Sequence, residues 1–361
     1  MSDRHHSERE DDSYPTNDSH TGLISRRSIL SGIGTISAMG MLGQTVSARA
    51  TKGTPTDKGS VQNTSAEQLP NGLAEQIQKI LADGSQEFDL FGGAVALSED
   101  GNTALIGADE DDENGENAGA VYVFTRQNDQ WDQTQKLFAD DGEPSDNFGD
   151  SVAINQLGDT ALIGATDNED SGAAYVFTRQ DDQWMQTQKL TAEDRQAFSN
   201  FGVSVALSED TALIGASGFS TGGEDQFTNV GTAYVFTRQN DQWTQTQQLF
   251  ADDGREDDED DFFGVRVALE DNLALIGAPG DDDFGVNSGA AYMFTRQNNQ
   301  WIQTQQLLPD SGQIGDSFGA RVALEEDTAL ISALGDDENG FNSGTIYISF
   351  FKIVNGNSVR S

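Results

Sequence analysis

Between residues 91 and 350 the chain is a succession of short runs in which apolar side chains alternate with small or polar ones, separated by stretches of Asp, Asn, Gly and Gln. A period of two over about four to eight residues is the signature of half-buried β-strands rather than helices. The runs come in a fixed order. An alternating run such as Ser151-Val152-Ala153-Ile154 or Arg266-Val267-Ala268-Leu269 is first, and Thr103 to Ala108, with copies ending at Ala165, Ala216, Ala278 and Ala333, is second. After an acidic loop of variable length, Gly119 to Arg126 is the third, with Tyr122 matched by Tyr175, Tyr234, Tyr292 and Tyr347. A run led by Trp131, repeated from Trp184, Trp243 and Trp301, is the fourth.

Each set is introduced by Phe-Gly, at Phe91, Phe148, Phe201, Phe263 and Phe318, with intervals of 57, 53, 62 and 55 residues. Self-similarity at such a period indicates a repeat architecture. Asn128-Asp129, Asp181-Asp182, Asn240-Asp241 and Asn298-Asn299 separate the third and fourth runs. These residues tolerate the positive φ of a tight hairpin, so adjacent runs are expected to be antiparallel neighbours. The expected fold is all-β: a β-propeller of four-stranded antiparallel blades, five in number. An elongated stack of β-units would need distinct caps, whereas here the fifth repeat stops after its third run, and Gln78 to Gly84 aligns with Gln135 to Asp140. The expectation is that this N-terminal segment, despite its helical local propensity, supplies the missing strand and closes the ring into the last blade. The Phe-Gly ring is expected between neighbouring sheets, and the Trp and Tyr residues in the core.

The first seventy residues read differently. Ser25-Arg26-Arg27-Ser28-Ile29-Leu30, a mainly apolar run to Val46 and Ala48-Arg49-Ala50 form a basic, apolar and small-x-small succession expected of a signal peptide over 1–50. The paired arginines resemble the twin-arginine export signal. Five Ser or Thr and four Gly within residues 28–46 argue against a permanent span. Residues 51–70 read as a flexible polar linker carrying the sequon Asn63-Thr64-Ser65, 71–354 as the propeller and 355–361 as a C-terminal tail.

Charge narrows the picture. Sixty-one Asp and Glu against 20 Lys and Arg give a net charge of −41, with only six Lys, which argues against nucleic acid and anionic membranes as partners. Such a surface repels itself unless the Debye length is short, so a halophilic source, an archaeon, is the expected one. There is no Cys, and all three His precede residue 21. Without them the mature chain has no Ser-His-Asp triad, Cys nucleophile or histidine-ligated zinc.

Phe-Gly followed about 15 residues later by Gly277-Ala278-Pro279 or its variants (Gly107-Ala108-Asp109, Gly164-Ala165-Thr166, Gly215-Ala216-Ser217, Ser332-Ala333-Leu334) resembles the FG-GAP repeat of integrin α-subunit propellers and of many secreted microbial proteins. Integrin-like members carry a D-x-D-x-D-G-x-x-D calcium loop between the first two strands. Here that connection shrinks to Ser98-Glu99-Asp100-Gly101-Asn102 or less, as in short-loop microbial variants, and the calcium site does not carry over. The acids lie instead in the next loop: Asp111, Asp112, Asn114 and Asn117; Asp167 and Asp170; Asp281, Asp282, Asp283 and Asn287; Asp336, Asp337, Asn339 and Asn342. Asn or Asp stands two residues before the Gly in all five copies, including Asn229. These are the candidate ligands of a weak calcium site, against the plainer reading that acid simply loads exposed loops. No other cofactor is implied.

The resemblance implies a secreted or cell-surface interaction or adhesion module, not an enzyme, binding an extracellular protein or polysaccharide through loops on one propeller face. A self-associating cell-surface structural protein is the alternative, and a polysaccharide-degrading enzyme using a carboxylate pair is the third. The insertion from Phe219 to Val230 in the third repeat breaks the symmetry and is the candidate specific contact.

Overall fold

The computed structural model describes residues 78–220, 229–252, 260–354 and 357–360. The expected signal peptide and linker, and residues 221–228 of the third-repeat insertion, lie outside them. The described residues form five antiparallel sheets and no α-helix, and no helix among them is long and apolar enough to cross a membrane.

Blade one is β1 (Val95–Leu97), β2 (Thr103–Ala108), β3 (Ala120–Gln127) and β4 (Gln130–Leu137). Blade two is β5 (Phe148–Ile154), β6 (Thr160–Ala165), β7 (Ala173–Gln180) and β8 (Gln183–Leu190). Blade three is β9 (Phe201–Ser208), β10 (Thr211–Ala216), β11 (Thr232–Gln239) and β12 (Gln242–Leu249). Blade four is β13 (Arg266–Glu270), β14 (Leu273–Ala278), β15 (Ala290–Gln297) and β16 (Gln300–Leu307). Blade five is β17 (Phe318–Glu325), β18 (Thr328–Ala333), β19 (Thr345–Val354) and β20 (Asn357–Arg360). Each blade is a meander whose neighbours in sequence are neighbours in the sheet, as a five-bladed propeller requires.

The hairpins follow the residues expected for them. Gln127 pairs with Gln130 around Asn128 and Asp129, whose φ values are 52° and 61°. The three corresponding turns have two positive φ values each, the type I′ geometry that matches strand twist. A register shift follows Val123, Val176, Val235 and Met293 in the third strands of blades one to four, a bulge that bends the outer strand.

Blades meet through the Phe-Gly pair. Gly119 bridges Phe148 in parallel, and Gly172, Gly231 and Gly289 do the same with Phe201, Phe263 and Phe318. A Cβ on Gly119 would lie 2.1 Å from the Phe148 carbonyl oxygen, so only glycine admits this approach. The Phe148 ring, fully buried, packs edge-on against Tyr175 at 5.5 Å. Trp184, Trp243 and Trp301 are buried, in keeping with a core role. At the outer rim, Gln135 donates through Nε2 to the Trp184 carbonyl at 2.8 Å and accepts from the Trp184 N–H at 2.9 Å. Gln188 with Trp243 and Gln247 with Trp301 repeat this clasp.

The chain ends depart from expectation in two ways. Gln78 makes the same clasp, to Trp131 at 2.9 Å both ways, so the segment sits on blade one as an outer strand of a preceding blade would. Yet residues 78–82 form no strand, and the fourth strand of the fifth sheet is β20, from the expected C-terminal tail, pairing Phe351–Val354 with Asn357–Arg360. The sequence between them, Asn355-Gly356, favours a two-residue hairpin. The Thr345–Phe350 part of β19 pairs with β18, and Gly344 has no bridge to Phe91 like the other four.

Candidate ligand-binding face

In a meander the first-to-second and third-to-fourth turns lie at one end, and the second-to-third loops and the links between blades at the other. The turn end is built from tight hairpins. At the loop end, each second-to-third loop leans on the link that follows its blade: Ser145 N donates to Glu116 O and Asn147 N to Asn117 O, and in blade four Gly315 N donates to Val286 O and Ser317 N to Asn287 O.

The candidate calcium ligands hold these loops together. Asp111 is buried beneath its loop and accepts from Tyr122 Oη at 2.8 Å and Lys136 Nζ at 2.9 Å, while Lys136 also reaches Glu113 at 2.6 Å. Burial opposes the Lys136 charge, but these carboxylates outweigh it and hold its pKa above the usual lysine range; burial of Tyr122 pushes its phenol up to about 12. Asp281 likewise accepts from Tyr292 Oη, and Gln306, in the place of Lys136, donates to Asp283 at 2.6 Å. Asp336 accepts from the Glu338 N–H at 2.8 Å.

In blades one, four and five the second acid of the loop turns back on its own chain: Asp112 accepts from the Asn117 N–H at 2.7 Å, and Asp282 and Asp337 accept from those of Asn287 and Asn342. Asn117, Asn287 and Asn342 have φ of 53°, 52° and 49°, a left-handed conformation Asn tolerates better than most residues. Asn114 and Asn339 are exposed, and in blade two Asp170 ends a one-turn 3-10 segment, Asn168–Asp170, next to Asp167. Among the described residues no three acidic side chains are arranged to hold a metal ion. In blades one and four one acid is turned inward onto a Tyr, and the next caps the backbone of its own loop.

The same loops display apolar side chains that attention to the acids overlooked. Phe284 is 52% exposed, Val286 55% and Ile314 76%, and a Cβ at Gly285 would lie 3.5 Å from Ile314 while one at Gly312 would lie 3.4 Å from Phe284. The three form one patch. Phe341 of blade five is 88% exposed, and Phe88 and Phe198, three residues before their Phe-Gly pairs, are exposed at the same end. Phe284 and Phe341 occupy positions filled by Asn114 and Glu116 in blade one. An apolar residue inside an otherwise acidic loop was the available signal.

In the third-repeat insertion, Phe219 takes the place of the buried Asp: Gly231 N donates to Phe219 O as Gly119 N does to Asp111 O, and its ring packs on Phe250 at 5.6 Å.

A charged group on and beside the first strands also breaks the repeat: Asp109 just after β2, with Asp150 on β5, Arg266 on β13 and Arg321 on β17. Asp109 is buried with one oxygen lacking a hydrogen-bond partner, and burial, with Asp150 and Glu110 nearby, pushes its pKa up to about 6. Burial and Arg321 push Arg266 down to about 10, with Asp150 opposing. A groove of about 440 Å³ between the outer strands of blades three and four, lined by Gln247, Phe250, Trp301 and Gln303, is part of the repeated Gln–Trp clasp.

No curated protein matches the chain. Among solved structures it is similar to a Bacteroides uniformis protein described as a 6-phosphogluconolactonase, at 12% identity and a TM-score of 0.46, covering 74% of this chain and 69% of that one. The FG-GAP repeat pattern matches five times, at residues 74–124, 131–177, 184–236, 243–294 and 301–349. Each match runs from an outer strand, or its position, through the three strands of the following blade, and together they span most of the chain: it belongs to the FG-GAP repeat family.

Proposed function

We propose that the chain is a secreted or cell-surface interaction module that binds an envelope protein or polysaccharide through its loop end, without catalysis. The observation that supports this is the set of exposed apolar side chains there: Phe284 and Val286 stand on a loop braced from below by the buried Asp281–Tyr292 contact, with Ile314 on the link beside it and Phe341 on the corresponding loop of blade five. Exposed aromatics on rigid supports suit recognition, because little conformational entropy is lost when they are covered. The surrounding acid disfavours anionic partners and selects neutral or basic surfaces. The FG-GAP repeat is consistent with an extracellular module at this level.

The test is titration of labelled chain against separated polysaccharide and protein fractions of the source cell envelope at high salt. Saturable binding to one fraction without release of reducing ends is expected. Release of reducing ends would favour a carboxylate-dependent glycanase, and no saturable binding to either fraction would remove the reading.

A further inference from the structure

The four blade junctions share one construction. The third strand of one blade and the Phe-Gly of the next cover each other, so Val121, Val123 and Leu105 of blade one are fully buried. The far side of blade five carries the same positions uncovered. Ile346 and Ile348, which replace Val121 and Val123, are 60% and 59% exposed, Phe350 is 61% exposed, and Leu330, which replaces Leu105, is 39% exposed. Gly344 meets only its own blade, with no atom nearer than 3.5 Å to an added Cβ. A protein of net charge −41 thus shows a flat apolar sheet face that its own repeats bury four times over.

Blade one carries the other half. Phe91 is only half-buried where Phe148, Phe201, Phe263 and Phe318 are buried, and Leu97 is 45% exposed against 9% for Leu269 and 8% for Leu324. The Gln78 clasp to Trp131 shows that this face already seats the outer segment of a preceding blade. Among the described residues blade five does not supply that preceding blade: the Gly344–Phe91 bridge is missing and Ile348 stays uncovered.

We infer that blade five of one copy docks on blade one of a second, in a fifth junction of the kind made four times within the chain. The contact is heterologous, one end against the other, so it closes into a ring or propagates as a filament according to the rotation between copies. Bringing together two strongly acidic chains needs screening, so association strengthens with salt. The docking faces lie on the sides of the end blades, away from the loop end, and the inference stands apart from the proposed ligand.

Absence of Cys makes the test clean. Ile348→Cys and Leu97→Cys, both at exposed positions, are made separately and together in the full chain and treated at molar salt with a short bismaleimide. The expected result is a cross-linked dimer when the two single variants are mixed, little from either alone, and a ladder from the double variant. Cross-linking of the double variant solely within one chain would show that the ring closes on itself, and absence of any cross-link would show that the faces do not meet; either overturns the inference. Sedimentation velocity supplies the second arm: the unmodified chain is expected to sediment faster as its concentration rises, and Ile348→Asp to lose that dependence while keeping its near-ultraviolet circular dichroism. Concentration-independent sedimentation of the unmodified chain also overturns it.

Discussion

Replacing Gly119 and Gly344 by Ala, one at a time, separates what the repeat glycine does for its backbone from what it does for the blade junction. Both have positive φ, 83° and 70°, so either alanine carries a left-handed penalty of about 1–2 kcal/mol. Only at Gly119 is there a second effect. Its new Cβ would lie 2.1 Å from the Phe148 carbonyl oxygen and 2.5 Å from the Phe148 nitrogen, both backbone atoms with no side-chain freedom to yield. Blades one and two must separate locally and loosen Phe148 against Tyr175 and Phe177, a loss on the order of a large-to-small core substitution, about 3–5 kcal/mol more. Urea unfolding followed by near-ultraviolet circular dichroism, at a concentration where the chain is monomeric, reads both. Gly344→Ala should shift the midpoint slightly and Gly119→Ala severely. If the two lose stability within about 0.5 kcal/mol of each other, the steric account of the junction is wrong.

Asp109→Asn should stabilise the chain at neutral pH. The folded-state pKa of about 6 lies above the ordinary 3.8, so ionisation opposes folding: the penalty is absent below about pH 4, grows between 4 and 6 and is complete above 6. Two units correspond to on the order of 3 kcal/mol, and an unchanged urea midpoint at pH 7.5 would refute the buried-carboxylate reading. Gln135→Ala removes both hydrogen bonds to Trp184 and should cost about 1–3 kcal/mol, with Gln135→Glu failing to restore stability because the carboxylate cannot donate to the carbonyl; full rescue by Glu would contradict the clasp. Calcium at about 1 mM, within the range of weak extracellular sites, should leave the thermal midpoint unchanged if contacts like those of Asp111 with Tyr122 and Lys136, and of Asp112 with its own backbone, occupy the loop carboxylates; a rise reversed by a chelator would show that the loops bind calcium.

The repeats made much of the fold legible. Alternation gave the strands, the Asn-Asp pairs gave the type I′ turns, and Phe-Gly marked the junctions, because each is a local rule repeated with little variation. The ends were less legible, since the last blade has no following repeat to fix its outer edge: the alignment of Gln78 with Gln135 matches the clasp that Gln78 makes to Trp131, whereas the pairing of β20 with Phe351–Val354 has no counterpart in the other repeats. In the loops, Asp and Asn are ambiguous by nature. The oxygen-rich side chains that ligate a cation also cap backbone N–H groups and tolerate positive φ, and here Asp112 and Asn117 do the latter. Phe284 and Phe341 were hidden by the opposite bias, since an apolar residue in a repeat protein is first read as core.

The central claim is that the loop end is the recognition surface, and envelope binding by two variants tests it most directly. Phe284→Ser, Ile314→Ser and Phe341→Ser are combined in one chain; Met185→Ser and Ile302→Ser, exposed on outer strands, are combined in a control. Both are titrated against the envelope fraction that the unmodified chain binds. The loop variant is expected to lose at least about tenfold in affinity, as removal of exposed anchors at an interface does, while the control binds like the unmodified chain. Equal affinity of all three would contradict the claim.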